Sequence, residues 1–259
     1  MDFLATHSVW LSAFVLLVPT TLLAMAGPVV VRRYVRLSRL RTNNEVAGFK
    51  FATIGVLYAV LLAFAVVVVW EKFNDADKDV ALEASSAATV YRLSRGLEDT
   101  HGAAVRKAMT DYLNAAITQD WPAMERGKSS PTGAATMNAL YDAALRFHTP
   151  EPAEAVVLGE LLRQIDQVSQ GRRGRLVTAN GVVPDVLWAV LVGGAILTVC
   201  FTFFFGTENL LAQTMMTGAL TLLIFAGLLT IVSIDHPFAG TVKVGPGALI
   251  AVVEDFGNR

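Results

Sequence analysis

Four apolar runs, at residues 9–31, 51–70, 186–205 and 210–234, constrain this chain more than any other feature. A bilayer core about 30 Å thick takes about 20 apolar residues of helix to cross. Each run is long enough. Hydrocarbon offers no partner to a backbone N–H or C=O, so a lone spanning segment must satisfy its own and fold as a helix. Of 259 residues, 54% are hydrophobic, an excess over the apolar share of an ordinary soluble domain, about 45–50% with glycine included. The expected fold class is therefore an all-α integral membrane protein with four transmembrane helices.

The first run has no basic segment before it and ends in arginines, so it reads as an uncleaved anchor, kinked at Pro19. Only residues 206–209 separate the last two runs, which predicts a tight antiparallel hairpin with Pro184 in the first turn of its first helix. No glycine or proline lies between Trp70 and Arg95, and Phe73, Ala76, Val80, Ala84, Ala87 and Tyr91 recur at helical spacing. That predicts a single helix over about 45–95, ending near Gly96. Further helices are expected over 103–118, over 131–147 with Ser130 as N-cap, and over 152–170, with a bend at Trp121-Pro122. Their apolar faces carry Val105, Met109 and Tyr112, then Met137, Leu140, Ala144 and Phe147, then Leu161, Ile165 and Val168. The organisation is thus two spans with a basic loop over 1–70, and a soluble helical domain inserted over 71–183. The hairpin follows over 184–234, and a tail over 235–259 packs back on the soluble domain.

Arg32, Arg33, Arg36, Arg39, Arg41 and Lys50 fall between the first two spans, against one acid, Glu45. The positive-inside rule puts this loop in the cytoplasm and the soluble domain and termini outside it. Arg172, Arg173 and Arg175, shortly before the third span, pull the other way. Both clusters, Arg32, Arg33 and Arg36 in the first and Arg172, Arg173 and Arg175 in the second, are candidates for lipid head groups.

The four histidines, His7, His101, His148 and His236, are far apart, and the one cysteine, Cys200, lies in an apolar run. No pair has metal-ligand spacing, and no phosphate loop or nucleophile elbow is present. The chain is expected to be no enzyme, with no cofactor and no metal. A net charge of −1 gives no reason to expect nucleic acid. The expected partners are membrane lipids, inorganic ions and further copies of the same chain.

A few residues in the spans call for explanation. Asn43, Asn44 and Glu45 either cap the second span or form a polar ring at a pore mouth. Gly48, Ala52, Gly55, Ala59 and Ala63 fall at three- and four-residue steps, which lets helices pack closely within one chain or between chains. Tyr58 is either a packed tyrosine or a pore-lining one, and the valines Val66 to Val69 either face lipid or form a constriction. No span has an Asp, Glu, Lys or Arg at its centre, which argues against a pump built on a buried carboxylate and leaves a passive pore open.

Asn43 to Gly48, Val68-Val69-Trp70-Glu71-Lys72-Phe73, Gly171 to Leu176 with Pro184 and Trp188, and Ile234-Asp235-His236-Pro237-Phe238-Ala239-Gly240 resemble the bestrophin-like family of bacterial and plant membrane proteins. The resemblance covers most of 43–246. Its name implies likeness to the bestrophins, pentameric anion channels whose second helix lines the pore. It therefore implies an oligomeric ion channel lined by the second span, the helix from Asn43 to Trp70, on which Asn43, Asn44, Glu45, Tyr58, Val66 and Val69 are the lining or mouth candidates singled out from the residues themselves. The other expected reading is a non-conducting sensor or scaffold whose soluble domain binds a partner. Three departures stand out: a valine run replaces an aromatic neck, no acidic cluster matches a calcium clasp, and bestrophins keep their insert in the cytoplasm.

Overall fold

The computed structural model describes residues 9–146, 152–181, 183–240 and 242–257. Phe147, His7 and His148 lie outside them. Every regular element among the described residues is a helix. They are α1 (Val9–Tyr34), α2 (Leu37–Thr42), α3 (Asn44–Leu93), α4 (Asp99–Ala115), α5 (Trp121–Met124), α6 (Pro131–Leu145), α7 (Pro152–Thr178), α8 (Asp185–Thr202), α9 (Leu210–Ile234) and α10 (Gly247–Gly257). Four of them, α1, α3, α8 and α9, are long and apolar enough to cross a membrane. The chain forms two compact units, one from Met1–Glu71 with Val182–Asp235 and the other from Lys72–Gly181 with His236–Arg259.

The first unit holds the four apolar helices. Small residues let them touch. A Cβ on Gly218 of α9 would come within 2.8 Å of Met25 Sδ on α1, and one on Gly27 of α1 would strike the Phe203 ring. Gly194 of α8 lies under the Tyr58 ring, and Gly227 of α9 under Leu62. Polar groups finish the packing where no water can. The Thr202 and Thr217 hydroxyls lie 3.2 Å apart across the hairpin, and Gln213 Nε2 donates to the Phe205 carbonyl at 2.7 Å. Asn209 caps α9 by accepting from Ala212 N at 3.1 Å. At the other end of the hairpin the Asp235 carboxylate accepts from Val183 N at 2.9 Å.

The second unit closes round one apolar core in which Val80, Met109, Leu140, Ile165, Phe238 and Leu249 are buried. Ser130 caps α6 by accepting from Thr132 N, and Pro131 takes the first helical position. Trp121-Pro122 is not a bend. Helical backbone continues through it, because a π turn at Ala116–Asp120 joins α4 to α5 without a break. The fourth predicted helix does not stop at Gln170 either. It runs on to Thr178, and Gly171 and Gly174 lie where α7 approaches α3 closely. A Cβ on Gly171 would come within 2.7 Å of the Asp79 carbonyl, and one on Gly174 would strike the Asp79 carboxylate. The tail winds into α10, whose Phe256 ring stacks on Tyr91 at 3.7 Å between centroids.

Gly193 and Gly194 make a paired test of this packing, because a Cβ on Gly193 meets nothing within 4 Å. Gly193→Ala should gain up to about 1 kcal/mol from helix propensity. Gly194→Ala should lose about 1–3 kcal/mol to overpacking against Tyr58. Thermal unfolding in detergent micelles measures both, and equal shifts would contradict the packing described.

Candidate functional site

In the first unit α3 has one packed face and a wider exposed surface, which carries large apolar side chains such as Val56, Leu57, Phe64 and Val67 as well as small ones. Tyr58, Ala65 and Val69 are buried against the rest of the unit. Phe51 joins them, with its ring against Phe201 at 5.9 Å and edge-on to Phe205 at 5.5 Å. On the remaining surface Ala52, Ala59 and Ala63 are exposed, and a Cβ built on Gly48 or Gly55 meets nothing within 4 Å. Among the described residues, the small-residue stripe therefore has no close packing partner. Glu45 is exposed one turn before it, and Val66 is half-buried.

Two lining candidates are corrected. Tyr58 is 5% exposed, and its hydroxyl donates to the Leu191 carbonyl at 3.1 Å, so it is a packed tyrosine. Val69 is 0% exposed and cannot form a constriction. Asn44 is also committed. Its amide pairs with Gly206 in both directions, Nδ2 to the carbonyl at 2.8 Å and the Gly206 N–H to Oδ1 at 2.9 Å. That pairing staples the start of α3 to the α8–α9 turn, and a Cβ on Gly206 would strike Leu40 and Arg41 there. Asn43 and Glu45 remain exposed at that end.

The second unit buries a charge cluster. Arg175 of α7 is fully buried and forks onto Glu83 of α3, with Nε to Oε2 at 2.5 Å and Nη2 to Oε1 at 2.8 Å. Tyr112 donates to Glu83 Oε1 at 2.5 Å. Arg172 donates to the buried Asp120 at 2.8 Å, and Asp120 also accepts from Ser130 N at 3.3 Å. The Arg175 guanidinium lies over the Trp121 ring, 4.5 Å from its centroid. Burial works against the Arg175 charge, but Glu83 outweighs it and raises the pKa. Burial first, then the Glu83 charge and hydrogen bond, push the Tyr112 phenol well above its ordinary value, so it stays a donor. Arg172 and Arg175 are thus not lipid-facing: they neutralise two buried acids. Of that trio only Arg173 is exposed, 3.8 Å from Asp166.

The Bestrophin-like domain family model matches residues 18–249. The chain belongs to the Bestrophin-like family. Solved structures agree on the fold. A variant of a bacterial bestrophin homologue from Klebsiella pneumoniae superposes with a TM-score of 0.71 at 13% identity, over 92% of this chain and 98% of that one. A second variant from the same organism gives 0.69 at 14%, over 97% and 98%. A third structure of that homologue gives 0.67 at 14%, over 91% and 94%. No curated protein matches significantly. Membership fixes the chain as a Bestrophin-like membrane protein. Among the described residues no three His, Cys, Asp or Glu side chains gather as a metal site would.

Neither buried arginine, nor the Glu83 and Asp120 that hold them, could be reached from local sequence. Breaking a buried pair costs about 3–5 kcal/mol, because the survivor is an uncompensated charge. Glu83→Gln and Arg175→Met should each destabilise by about that much, and the double substitution by clearly less than their sum. Unfolding midpoints of the three variants in detergent check this; simple additivity would contradict a coupled pair.

Proposed function

We propose that this Bestrophin-like protein is an oligomeric ion channel in which several copies of α3 surround one axis. The observation that carries the reading is the free face of α3. Glu45, Gly48, Ala52, Gly55, Ala59 and Ala63 form a stripe that none of the described residues covers, beside the packed face that carries Tyr58, Ala65 and Val69. Small side chains leave room for a lumen where backbones converge. Exposed Asn43 and Glu45 supply polar groups at its mouth, and Val66, three residues beyond Ala63, is the candidate for an apolar narrowing on the stripe itself. The likeness to bestrophins supports the same architecture. The stripe has the small-residue spacing of helix packing between chains, so one face serves assembly and lining together.

The arginine-rich loop is assigned to the cytoplasm, which leaves the second unit outside it. Burial of Arg172 and Arg175 in ion pairs supports this, because the basic cluster that opposed it is largely structural.

The test is ion flux through the purified protein in liposomes, with oligomeric mass measured on the same sample. A conducting ring is expected, and Glu45→Gln should shift its anion-to-cation preference without changing its mass. A monomer or dimer that passes no ion would contradict the proposal.

A further inference from the structure

The two arginine clusters that look alike in sequence separate in the structure, and the first has charge to spare. Arg33 at the end of α1, Arg36 just before α2 and Arg39 within α2 are all exposed. None of the three has an acidic partner among the described residues. Glu208, at the α8–α9 turn, is already engaged, since Arg41 pairs with it at 2.6 Å. Arg32 donates to the Glu208 carbonyl at 3.5 Å and keeps a buried Nη1 without a partner, so its charge adds to the excess.

The backbone of α2, which follows Arg36 and carries Arg39, is held in place. Leu40 is buried, and α2 sits against the α8–α9 turn so tightly that only glycine fits at 206. The cluster therefore stays at the ends of the apolar helices. Large aromatic residues stand free at the same end: Tyr34 is 82% exposed and Phe49 78%. Tyrosine and tryptophan are enriched at the level where hydrocarbon gives way to head groups, so Tyr34 marks that level here. Arginines at that level meet phosphate, which their planar forks bind in bidentate fashion.

We propose that Arg33, Arg36 and Arg39 form a site for the phosphate of an anionic phospholipid, with the acyl chains lying along the apolar surface beside Tyr34 and Phe49. Charge complementarity selects an anionic over a zwitterionic lipid, since a choline or ethanolamine group would bring a cation back to the cluster. The flanking apolar surface selects a lipid over a free anion.

The test is a titration of the full chain in detergent micelles with phosphatidylglycerol, and separately with phosphatidylcholine of the same acyl chains, reading the unfolding temperature. Phosphatidylglycerol should stabilise the wild type at lower concentration than phosphatidylcholine. An Arg33→Gln/Arg36→Gln/Arg39→Gln variant should lose that preference, with the phosphatidylglycerol midpoint weakened on the order of 100-fold, given roughly fivefold for each arginine near an anionic surface. Arg173→Gln, exposed in the second unit, should keep the preference. Equal stabilisation by the two lipids, or a preference that survives in the triple variant, would overturn the site. Full stabilisation by inorganic phosphate alone would overturn the lipid as its occupant. Native mass spectrometry of the wild type gives an independent reading: retained phosphatidylglycerol in excess of phosphatidylcholine is expected, and equal retention counts against the proposal.

Discussion

Burying a guanidinium is costly unless every part of it is answered, and the second unit is organised round that requirement at Arg175. Glu83 takes its charge through a two-point fork, Trp121 covers its flat face, and the Met124 sulfur lies 3.3 Å from Nη1. Those partners come from α3 and α5, so the ion pair ties together segments far apart in sequence. The glycines at 171 and 174 serve the same contact, because α7 must approach α3 closely for Arg175 to reach Glu83. Trp121 then extends the arrangement to the tail, with Phe238 edge-on to its ring at 5.9 Å and its Nε1 donating to the Val244 carbonyl at 3.4 Å.

The first unit solves a different problem with different means. Its helices meet mainly through apolar and small residues, and hydrocarbon around them gives no hydrophobic reason to associate. Close approach at Gly27, Gly194, Gly218 and Gly227 supplies dispersion contacts instead. Most buried hydroxyls turn back to their own helix, as Thr198 does to Gly194 and Thr221 to Thr217, while Gln213 and the Thr202–Thr217 contact cross the hairpin. This leaves the small-residue face of α3 suited to close packing but without a packing neighbour among the described residues.

The spans were legible in the sequence because a twenty-residue apolar run has few physical solutions. Helix ends were legible where a local rule acts, as at Ser130-Pro131 and near Gly96. Arg172 and Arg175 were not, because they stand shortly before an apolar span, where free basic residues commonly sit. Their acidic partners are 52 and 92 positions away, beyond any local pattern. The clue was the glycine pair at 171 and 174, three residues apart on a helix, which marks a close crossing rather than a helix end. Asn44 misled in a related way. An asparagine before a helix suits a cap, yet its amide pairs with a backbone 162 positions away. Tyr58 could not be placed until its neighbour at Gly194 was known.

The claim that α3 turns its small-residue face to an ion pathway is tested most directly by thiol accessibility along that helix, in a Cys200→Ser background in liposomes. A water-soluble charged thiol reagent should modify Ala52→Cys and Ala59→Cys and reduce ion flux in both, and should leave Ala65→Cys, on the packed face, untouched. Flux that persists while Ala52→Cys and Ala59→Cys remain unreactive would place the ion pathway elsewhere and contradict the account.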